Sequence, residues 1–592
     1  MARFVKKCLI LGAVVGNVCL TDLVTGVSVH MKKDLIPPIY ENGNFSHIYV
    51  NSTLGEYNSA AVSADGIPCA QISRDILQQN GSAIDATIAG LFCVGVINAQ
   101  SMGLGGGFFA TYYERSTGKA YSLNAREKAP GSASKDMYHG NSTLSKKGGL
   151  AVGVPGEVRG YYKMYQNWGG SLPWADLIEP TIKLCEEGHE VNWAMAKILH
   201  WKRKDILAEP SMSVFVNEVT GDVWQKGDII RRPQLAKTLR ILQQEPDALY
   251  TGALANQLID DLNSFGSIIT HNDLRSYVPV VKDAINVSLS HGNMTLFSVP
   301  PPGSGLILGF ILNILDEYGL TMDSINDENT VHTHHRITEA FKWAYAKRTQ
   351  LGDADFVDLE ELSHNLVSDA YAASIKSQIT DDRTFQDPQH YGAVTANVED
   401  SGTAQFSLLG PNGDAVSVTS TINLGFGAGI RSVKTGIILN NEMDDFSAPG
   451  FKNSFGIPPS PANFISPRKR PMSSMCPAVV VDSAGDVRLV LGGAGGTKIS
   501  TSVAWVALRN LWLGDNIKEA IDARRIHHQL LPMELAYEDG IAKNLVAGME
   551  AIGHKSKKLR FGGSVVCGVA RDKIGKIYAN SDMRKAGEVT GF

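Results

Sequence analysis

The sequence has little charge for its length, and its basic residues are not clustered. Only 19% of the 592 residues are charged, the net charge is -5, and no long run of lysine and arginine with interleaved aromatic residues occurs. Nucleic-acid-binding proteins concentrate basic charge in such runs, so the chain is not expected to bind nucleic acid. With 43% hydrophobic residues it has ample material for a large core, and small-molecule chemistry is the favoured class.

Cysteine is also scarce, because seven residues are too few for a small scaffold held together by disulfides. Cys8 and Cys19 lie in the N-terminal leader. Cys69 and Cys93 bracket a predicted helix, and they are the pair that we expect to be joined in an oxidising compartment. The remaining three are expected to be small buried residues without a disulfide partner: Cys185, Cys476 and Cys567.

The N-terminus begins with basic residues and continues with an apolar run from Cys8 to Leu20. This run has the size of a signal-peptide core. The longer stretch from Cys8 to Val29 is also long enough to span a membrane, although its polar residues make it a poor membrane span. Residues 1–30 are therefore predicted to be a signal peptide or a signal-anchor, and residues 31–57 an exterior stem. Either alternative places the body of the protein outside the cell.

Six potential N-glycosylation sequences agree with an exterior location, and all of them lie before residue 300. A single Asn-x-Ser/Thr sequence often arises by chance, whereas six clustered ones favour export. The candidate residues are Asn44, Asn51, Asn80, Asn141, Asn286 and Asn293.

Periodicity predicts a helix over residues 71–79 and a second one, opened by Ser82, through Ile97. A glycine-rich loop follows and leads into two strand-like segments, so that Arg126 is expected at a strand end. Residues 150–400 are largely helical in period, and a polar segment from about residue 378 precedes β-structure. The other predicted segments are helices at 306–315 and 336–348, and then strands at 405–409, 415–421, 478–482 and 487–491. A helix through Leu513 follows these strands, and two more helices and two strands finish the chain.

Five motifs in the second half of the chain have the order and spacing seen in γ-glutamyltransferases, which are also called glutathione hydrolases. They are Gly402-Thr403-Ala404, Thr419-Ser420-Thr421-Ile422-Asn423, Asn440 to Phe446, Pro471 to Pro477, and Gly495-Gly496-Thr497. The glycine loop at 103–107 and Asn124-Ala125-Arg126-Glu127 match the same family upstream. The chain resembles this family from about residue 58 to Phe592.

The resemblance implies an α+β fold, a four-layer α/β/β/α sandwich of the N-terminal-nucleophile hydrolase type. It also implies a precursor that cuts itself between Gly402 and Thr403. Residues 58–402 would then form a large subunit and residues 403–592 a small subunit, held together as a heterodimer within one intertwined catalytic domain.

Self-cleavage would give Thr403 the base that its hydroxyl needs. A threonine hydroxyl is a weak nucleophile on its own, whereas a free α-amine has a pKa of about 8 and can accept its proton. Glycine at position 402 permits the strained backbone that such a cut requires. The resemblance assigns Thr421 to hydrogen bonding with the nucleophile and the new N-terminus.

A γ-glutamyl group carries an α-ammonium and an α-carboxylate, so a selective site needs charges of both signs. The resemblance implies that Glu442 and Asp445 bind the ammonium with the help of Asn423. It also implies that Arg126, Ser473 and Ser474 bind the carboxylate. The backbone N–H groups of Gly495 and Gly496 are expected to hold the oxyanion, and Lys585 occupies a position where the family also has a lysine.

We expect no cofactor and no metal. Neither glycine-rich loop fits a phosphate-binding fingerprint, because Gly496-Thr497-Lys498 inverts the P-loop order. Two histidine clusters, at 332–335 and 527–528, match no standard zinc spacing and are interpreted as surface or helix-packing residues.

The resemblance predicts a cell-surface or secreted enzyme that cleaves glutathione and γ-glutamyl conjugates and passes the group to water, an amino acid or a dipeptide. Two alternatives remain open. One is a relative with a different preferred substrate, such as a leukotriene-preferring member or an acylase. The other is an uncleaved, inactive homologue that acts as a binding protein.

Overall fold

The structure is a computed structural model that describes residues 52–393, 402–447, 449, 459–559 and 563–592. The predicted leader and most of the predicted stem, with Asn44 and Asn51, lie outside these residues. Helix starts follow the local sequence, as at Ser82, whose hydroxyl accepts from the N–H of Asp85 while the Asp85 carboxylate accepts from the N–H of Ser82. This reciprocal capping satisfies N–H groups that have no partner within the helix.

The described residues form 17 α-helices. They are α1 Cys69–Gln78, α2 Ala83–Ile97, α3 Glu157–Trp168, α4 Trp174–Glu187, α5 Trp193–Trp201, α6 Arg203–Ala208, α7 Pro233–Gln244, α8 Ala248–Thr251, α9 Ala253–Ser264, α10 His271–Ser276, α11 Gly305–Asp316, α12 Thr330–Arg348, α13 Glu360–Leu366, α14 Asp369–Lys376, α15 Lys498–Leu511, α16 Ile517–Asp522 and α17 Lys543–Ala551.

The same residues form 21 strands. They are β1 Gly55–Tyr57, β2 Ala61–Ala64, β3 Gly107–Glu114, β4 Lys119–Asn124, β5 His189–Glu190, β6 Val216–Asn217, β7 Asp222–Val223, β8 Ile229–Ile230, β9 Val280–Asp283, β10 Ile285–Leu289, β11 Met294–Ser298, β12 Ala404–Leu409, β13 Ala415–Thr421, β14 Ala478–Asp482, β15 Val487–Ala494, β16 Ile526–His527, β17 Leu535–Tyr537, β18 Ser556–Lys558, β19 Val565–Arg571, β20 Ile577–Ser581 and β21 Glu588–Gly591.

Two seven-stranded antiparallel sheets form the centre of the fold. One has the order β1-β20-β19-β15-β14-β11-β10, and the other has the order β21-β2-β12-β13-β3-β4-β9. Each of these two sheets contains strands from both sides of the Gly402–Thr403 bond. The chain segments before and after this bond are therefore joined by hydrogen bonds in both large sheets. Three smaller sheets, β16-β17-β18, β5-β8 and β6-β7, lie outside this pair.

Apolar side chains divide the molecule into layers. One core cluster joins the inner faces of the two sheets, for example through Leu409 and Val490. A second packs α1 to α4 and α7 to α9 onto the sheet that contains β12, and a third packs α11, α12 and α15 to α17 onto the sheet that contains β15. The order is therefore helix, sheet, sheet, helix, which is the predicted four-layer α+β sandwich.

The predicted Cys69–Cys93 disulfide is present, and the other three cysteines of the described part are buried and free. Gly55–Tyr57, within the predicted stem, pair with β20 and belong to the first sheet. The prediction of only two strands at the end of the chain is wrong, because six strands, β16 to β21, follow α15. Most of these are too short to show a strand period in the sequence.

Four of the candidate glycosylation residues are described, and all four are exposed: Asn80, Asn141, Asn286 and Asn293. Among the helices of the described residues, none combines the length and the apolar character that crossing a membrane requires.

Candidate active site

The Gly402–Thr403 bond lies immediately before β12, with Thr403 only 6% exposed. Gly402 has φ +115°, and a β-carbon at this position would lie 2.1 Å from the carbonyl oxygen of Asn423. Any other residue would clash with that backbone and would also adopt a disfavoured conformation. Glycine is therefore required at position 402 by the fold.

The carbonyl group of Gly402 is polarised by Thr421. The Thr421 hydroxyl donates to the Gly402 oxygen at 2.5 Å and accepts from the N–H of Asn423 at 2.8 Å. A donor aimed at a carbonyl oxygen draws electron density from its carbon and stabilises the negative charge that forms on attack. Strand β13 places Thr421 there, since Thr421 pairs with Gly107 at the end of β3.

On the C-terminal side of Thr403, the carbonyl oxygen of this residue accepts a hydrogen bond from Lys585 Nζ at 2.8 Å. The same ammonium contacts Asp65 Oδ2 at 2.9 Å, and that oxygen also accepts from the N–H of Gln405 at 2.9 Å. Asp65 is fully buried and its charge is balanced by Lys585. This pair therefore fixes Thr403 and Gln405, on either side of the first residue of β12, against the end of β2.

A second group of charges is buried around Arg126, two residues beyond the end of β4. Its guanidinium forms ion pairs with Glu442 and Asp445, and Glu127 Oε2 lies 3.9 Å from Nη1. The side chains of all four residues are at most 5% exposed. The group contains three carboxyl groups and one guanidinium, so an additional cation would be stabilised there.

Burial dominates the ionisation of this group. It raises the pKa of Glu442 well above its usual range, although the charge of Arg126 opposes the shift, and it raises the pKa of Glu127 to about 8. Burial alone would lower the pKa of Arg126, but Glu442 and Asp445 raise it. Burial thus opposes the negative charge of these carboxyl groups, and a bound ammonium group would favour it.

Several buried acceptor atoms of this group have no hydrogen-bond donor among the described residues. They include Oδ1 of Asn423, whose Nδ2 donates to the Asn441 carbonyl at 3.1 Å, and the carboxyl oxygens of Glu442, which pairs with Arg126 by charge. Buried acceptors are normally satisfied, because leaving one unpaired costs about 1–3 kcal/mol. Both fit a ligand that brings several N–H donors, such as an α-ammonium.

Ser473 and Ser474 follow the Met472 carbonyl, which lies 3.4 Å from Arg126 Nη2. The Ser473 hydroxyl accepts from the N–H of Met475 at 3.2 Å, and the Ser474 hydroxyl accepts from Arg348 Nη2 at 2.9 Å. These contacts use the hydroxyl oxygens as acceptors, so each hydroxyl hydrogen can be donated to a carboxylate.

The glycine loop after β15 lies near the scissile bond. A β-carbon on Gly492 would be 2.4 Å from Gln405 Oε1, so β15 and β12 are in direct contact. Gly495 and Gly496 have φ +129° and +63°, and neither N–H donates a hydrogen bond within the described residues. Two free N–H groups in a glycine turn are suited to an oxyanion.

Buried polar side chains hold the end of this loop. The Tyr345 hydroxyl from α12 donates to the Thr497 carbonyl, and the Thr497 hydroxyl donates to Gln529 Oε1 at 2.6 Å. His527 Nε2 lies 3.0 Å from the same oxygen. Burial lowers the pKa of His527 to about 3, so the imidazole is neutral and acts as a fixed hydrogen-bonding group.

The comparison with known proteins agrees with this geometry. The family model described as gamma-glutamyltranspeptidase matches residues 69–592. The chain belongs to the γ-glutamyltranspeptidase family. The match includes the scissile bond, the glycine loop and the charged residues around Arg126.

Individual relatives cover nearly the whole chain. Scoloptoxin SSD14 of Scolopendra dehaani is 46% identical over 91% of this chain and 93% of its own length. Glutathione hydrolase 5 proenzyme of Homo sapiens is 37% identical over 90% of this chain and 93% of its own length. The crystal structure of cephalosporin acylase from Bacillus halodurans has a TM-score of 0.79 at 22% identity, covering 94% of this chain and 99% of that one, and supports the fold alone.

The structure brings the family motifs of this γ-glutamyltranspeptidase together in two adjoining groups. One contains the predicted nucleophile, its Thr421 neighbour and the glycine loop. In the other, Arg126 contacts Glu442 and Asp445, Asn423 donates to the carbonyl of the neighbouring Asn441, and Ser473 and Ser474 directly follow the Met472 carbonyl that Arg126 contacts. Lys585 contacts the backbone of Thr403, which the sequence alone did not indicate.

The surface location predicted for the two histidine clusters is wrong for four of their five histidines. His332 is exposed, but His334, His335, His527 and His528 are buried, so a surface location is wrong for these four, and they pack within the protein. Backbone groups and short side chains hydrogen-bond to these imidazoles, as the Thr330 carbonyl does to His334 and the N–H of Leu530 to His528.

One cluster has the residue types of a metal site, since His335, Glu339 and His554 offer ligand atoms within 4.8 Å of one another. The two imidazoles already share a hydrogen bond of 2.8 Å, and Glu339 accepts from Tyr391 at 2.8 Å while pairing with Lys342 at 3.1 Å. The buried Lys342 ammonium thus already lies beside the Glu339 carboxylate, while Nδ1 of His554 has no hydrogen-bond partner among the described residues.

Sequence reasoning missed Asp65, Tyr345 and Gln529. Each acts on the site through a partner far along the chain, such as Lys585, which is 520 residues from Asp65. No local pattern marks such residues.

Proposed function

We propose that this chain is a glutathione hydrolase and γ-glutamyltransferase that matures by cutting itself between Gly402 and Thr403. The observation that carries the proposal is the Gly402 carbonyl, which is held by the Thr421 hydroxyl at 2.5 Å at the start of a buried strand. Family membership and the buried head-group residues support it.

In the first step, the Thr403 hydroxyl oxygen attacks the Gly402 carbonyl carbon. A carbon–oxygen bond forms, the Gly402–Thr403 peptide bond breaks, and the hydroxyl proton passes to the departing α-nitrogen. Water then hydrolyses the resulting ester, which gives a carboxylate on Gly402 and restores the hydroxyl of Thr403. The large chain ends at Gly402 and the small chain begins with a free amine.

In each turnover, the free amine of Thr403 takes the hydroxyl proton while the oxygen attacks the γ-amide carbonyl carbon of the donor. The amide carbon–nitrogen bond breaks, and the departing amine receives the proton. The N–H groups of Gly495 and Gly496 stabilise the oxyanion. Water or the amine of an acceptor then attacks the γ-glutamyl ester, breaks its bond to the threonine oxygen and returns the proton to that oxygen.

Donor selectivity is assigned to the head-group residues. Glu442, Asp445 and Asn423 bind the α-ammonium, and Arg126 with Ser473 and Ser474 binds the α-carboxylate. The buried acceptors of Asn423 and Glu442 support this assignment, since an ammonium is the ligand that would satisfy them. No cofactor enters these steps.

The same proposal places the enzyme at the cell surface or in the exterior medium, with residues 1–30 as a signal peptide or signal-anchor. The exposure of four glycosylation candidates and the Cys69–Cys93 disulfide support an exterior location.

A denaturing gel of the full-length protein, expressed with its leader in a secretory host, tests the proposal. Mature protein should give two bands, each smaller than the 63.8 kDa precursor, and sequencing of the shorter chain should begin at Thr403. The purified protein should release 4-nitroaniline from γ-glutamyl-4-nitroanilide. A single band at the precursor mass together with no release would contradict the proposal and favour an inactive binding protein.

A further inference from the structure

A small cavity of about 20 Å³ is lined by the segment 102–104, which leads into β3, and by Ile437 and Ile438. Apolar side chains of α2 and α7 form most of the remaining wall. A cavity needs about 10–15 Å³ to hold one water molecule. This cavity therefore accepts a single water molecule or a monoatomic ion, and it excludes organic ligands.

Arg232, which directly precedes α7, brings the one charged side chain to this lining. It is 4% exposed, and its Nη2 donates to the Gly436 carbonyl at 3.2 Å. Nη1 has no hydrogen-bond acceptor among the described residues. The other long polar side chain of the lining, Tyr161, uses its hydroxyl on Glu157. A buried donor on a charged group is costly to leave unpaired, so Nη1 requires an acceptor from outside the described chain.

The groups around Arg232 do not balance its charge. Burial lowers the pKa of Arg232 to about 10, so the guanidinium is still charged at neutral pH. Burial also raises the pKa of the neighbouring Cys185 thiol to about 11 and lowers the pKa of His189 to about 4, so both groups are neutral. Arg431 adds a second positive charge, on which the negative charge of Asp261 also acts. Arg232 forms no ion pair within the part of the chain that the structure describes, and a buried charge without a partner is destabilising.

The wall of the cavity continues into the active site. A β-carbon on Gly105 would lie 2.1 Å from the Ile438 carbonyl oxygen. A β-carbon on Gly106 would lie equally close, 2.1 Å, to the Thr421 carbonyl oxygen. Asn440, at the start of the motif that contains the ammonium ligands, donates through Nδ2 to the Gly105 carbonyl at 2.7 Å. An occupant of the cavity would therefore support the segment on which both regions of the active site pack.

We propose that this cavity binds one chloride ion through Nη1 of Arg232. Chloride supplies the missing acceptor and the missing negative charge, and as a single atom only slightly larger than water it fits the cavity. It is also the abundant monoatomic anion of extracellular fluids. The site does not depend on γ-glutamyl chemistry, so its test does not require an active enzyme.

The test measures the Tm of the purified protein in sodium chloride and in sodium gluconate at equal ionic strength. Gluconate is too large for the cavity, so the wild-type Tm should be about 3 °C higher in chloride, and the gain should level off as the site fills. In Arg232→Met this difference should disappear, because no guanidinium remains to hold the ion. Arg231→Met is the matched control and should keep the wild-type difference, because Arg231 is exposed and does not line the cavity.

Crystals of the wild-type protein grown in sodium bromide give a second measurement, which does not depend on the folding of a variant. Bromide replaces chloride and scatters anomalously, so an anomalous peak should lie within hydrogen-bonding distance of Arg232 Nη1. An equal Tm of the wild-type protein in the two salts, or the same chloride gain in Arg232→Met, would overturn the chloride site. Crystals without bromide beside Arg232 would also overturn it and would leave the cavity to a water molecule.

Discussion

Two adjoining regions of the site are built from different chemistry. The nucleophile region, Gly402, Thr403, Thr421, Gly495 and Gly496, consists of hydroxyls and backbone groups, with Lys585 and Asp65 behind it as a balanced pair. The head-group region, Arg126, Asn423, Glu442, Asp445, Ser473 and Ser474, is dominated by buried charges that exceed what Arg126 can neutralise.

The difference indicates that one region stabilises the reaction and the other binds the donor. Neutral groups in fixed positions can stabilise charge that appears only during reaction, whereas buried permanent charges bind a permanently charged ligand. Changes in the nucleophile region should therefore lower processing and kcat. Changes in the head-group region should raise KM for γ-glutamyl donors and leave the precursor cut intact.

The largest effect is expected for Thr403→Ala, which removes the attacking oxygen for both self-cleavage and turnover. The precursor should remain as one chain of 63.8 kDa, and hydrolysis of γ-glutamyl-4-nitroanilide should fall at least about 10,000-fold. Thr403→Ser keeps a hydroxyl and should retain both activities at reduced rates. If the Ala variant is still cut at the same bond, the nucleophile region has been assigned to the wrong residue.

Asp445→Asn tests the head-group region. The change removes a buried charge from the ammonium ligands while preserving shape, so kcat/KM for γ-glutamyl donors should fall about 100-fold. A gel should still show two mature chains. A glutaryl donor, which lacks the α-amine, serves as the control and should be affected far less. Equal loss for both donors would place Asp445 outside ammonium recognition.

How far the sequence could predict this site depends on the kind of contact. Thr403, Thr421 and the head-group residues lie in motifs of the family, and the register that aligns Thr421 with Gly107 follows from two strongly patterned strands. Asp65 and Tyr345 could not be found in this way, because β2 and α12 reach the site only through sheet order and helix packing. Short strands such as β16 were missed because two residues cannot show a period.

Tyr345→Phe addresses one of those missed contacts and should have a moderate effect. The variant loses the hydroxyl that holds the Thr497 carbonyl at the end of the glycine loop, so kcat should fall about tenfold with KM for the donor nearly unchanged. Steady-state kinetics separate the two parameters. A rise in KM with constant kcat would instead connect Tyr345 to substrate binding and weaken the division between the regions.

The smallest effect concerns Glu157, which lies at the boundary of the two regions. Its Oε1 accepts from the Ser420 hydroxyl at 2.8 Å and from Tyr161, and Ser420 directly precedes Thr421. Burial raises the pKa of Glu157 from 4.5 to about 8, although these two hydrogen bonds oppose the shift.

Between those two pKa values the folded protein holds a proton that the unfolded chain releases. The free energy of unfolding should therefore fall by up to about 1.4 kcal/mol for each unit of rising pH in this window. Glu157→Gln removes the titrating group, so its Tm should decline less than that of the wild-type protein as pH rises from about 5.5 to about 7.5. Glu218→Gln, at an exposed position, is the control and should follow the wild-type curve. Parallel curves for the Glu157 variant and the wild-type protein would show that Glu157 is already ionised in the folded state, and the boundary between the regions would then carry a charge.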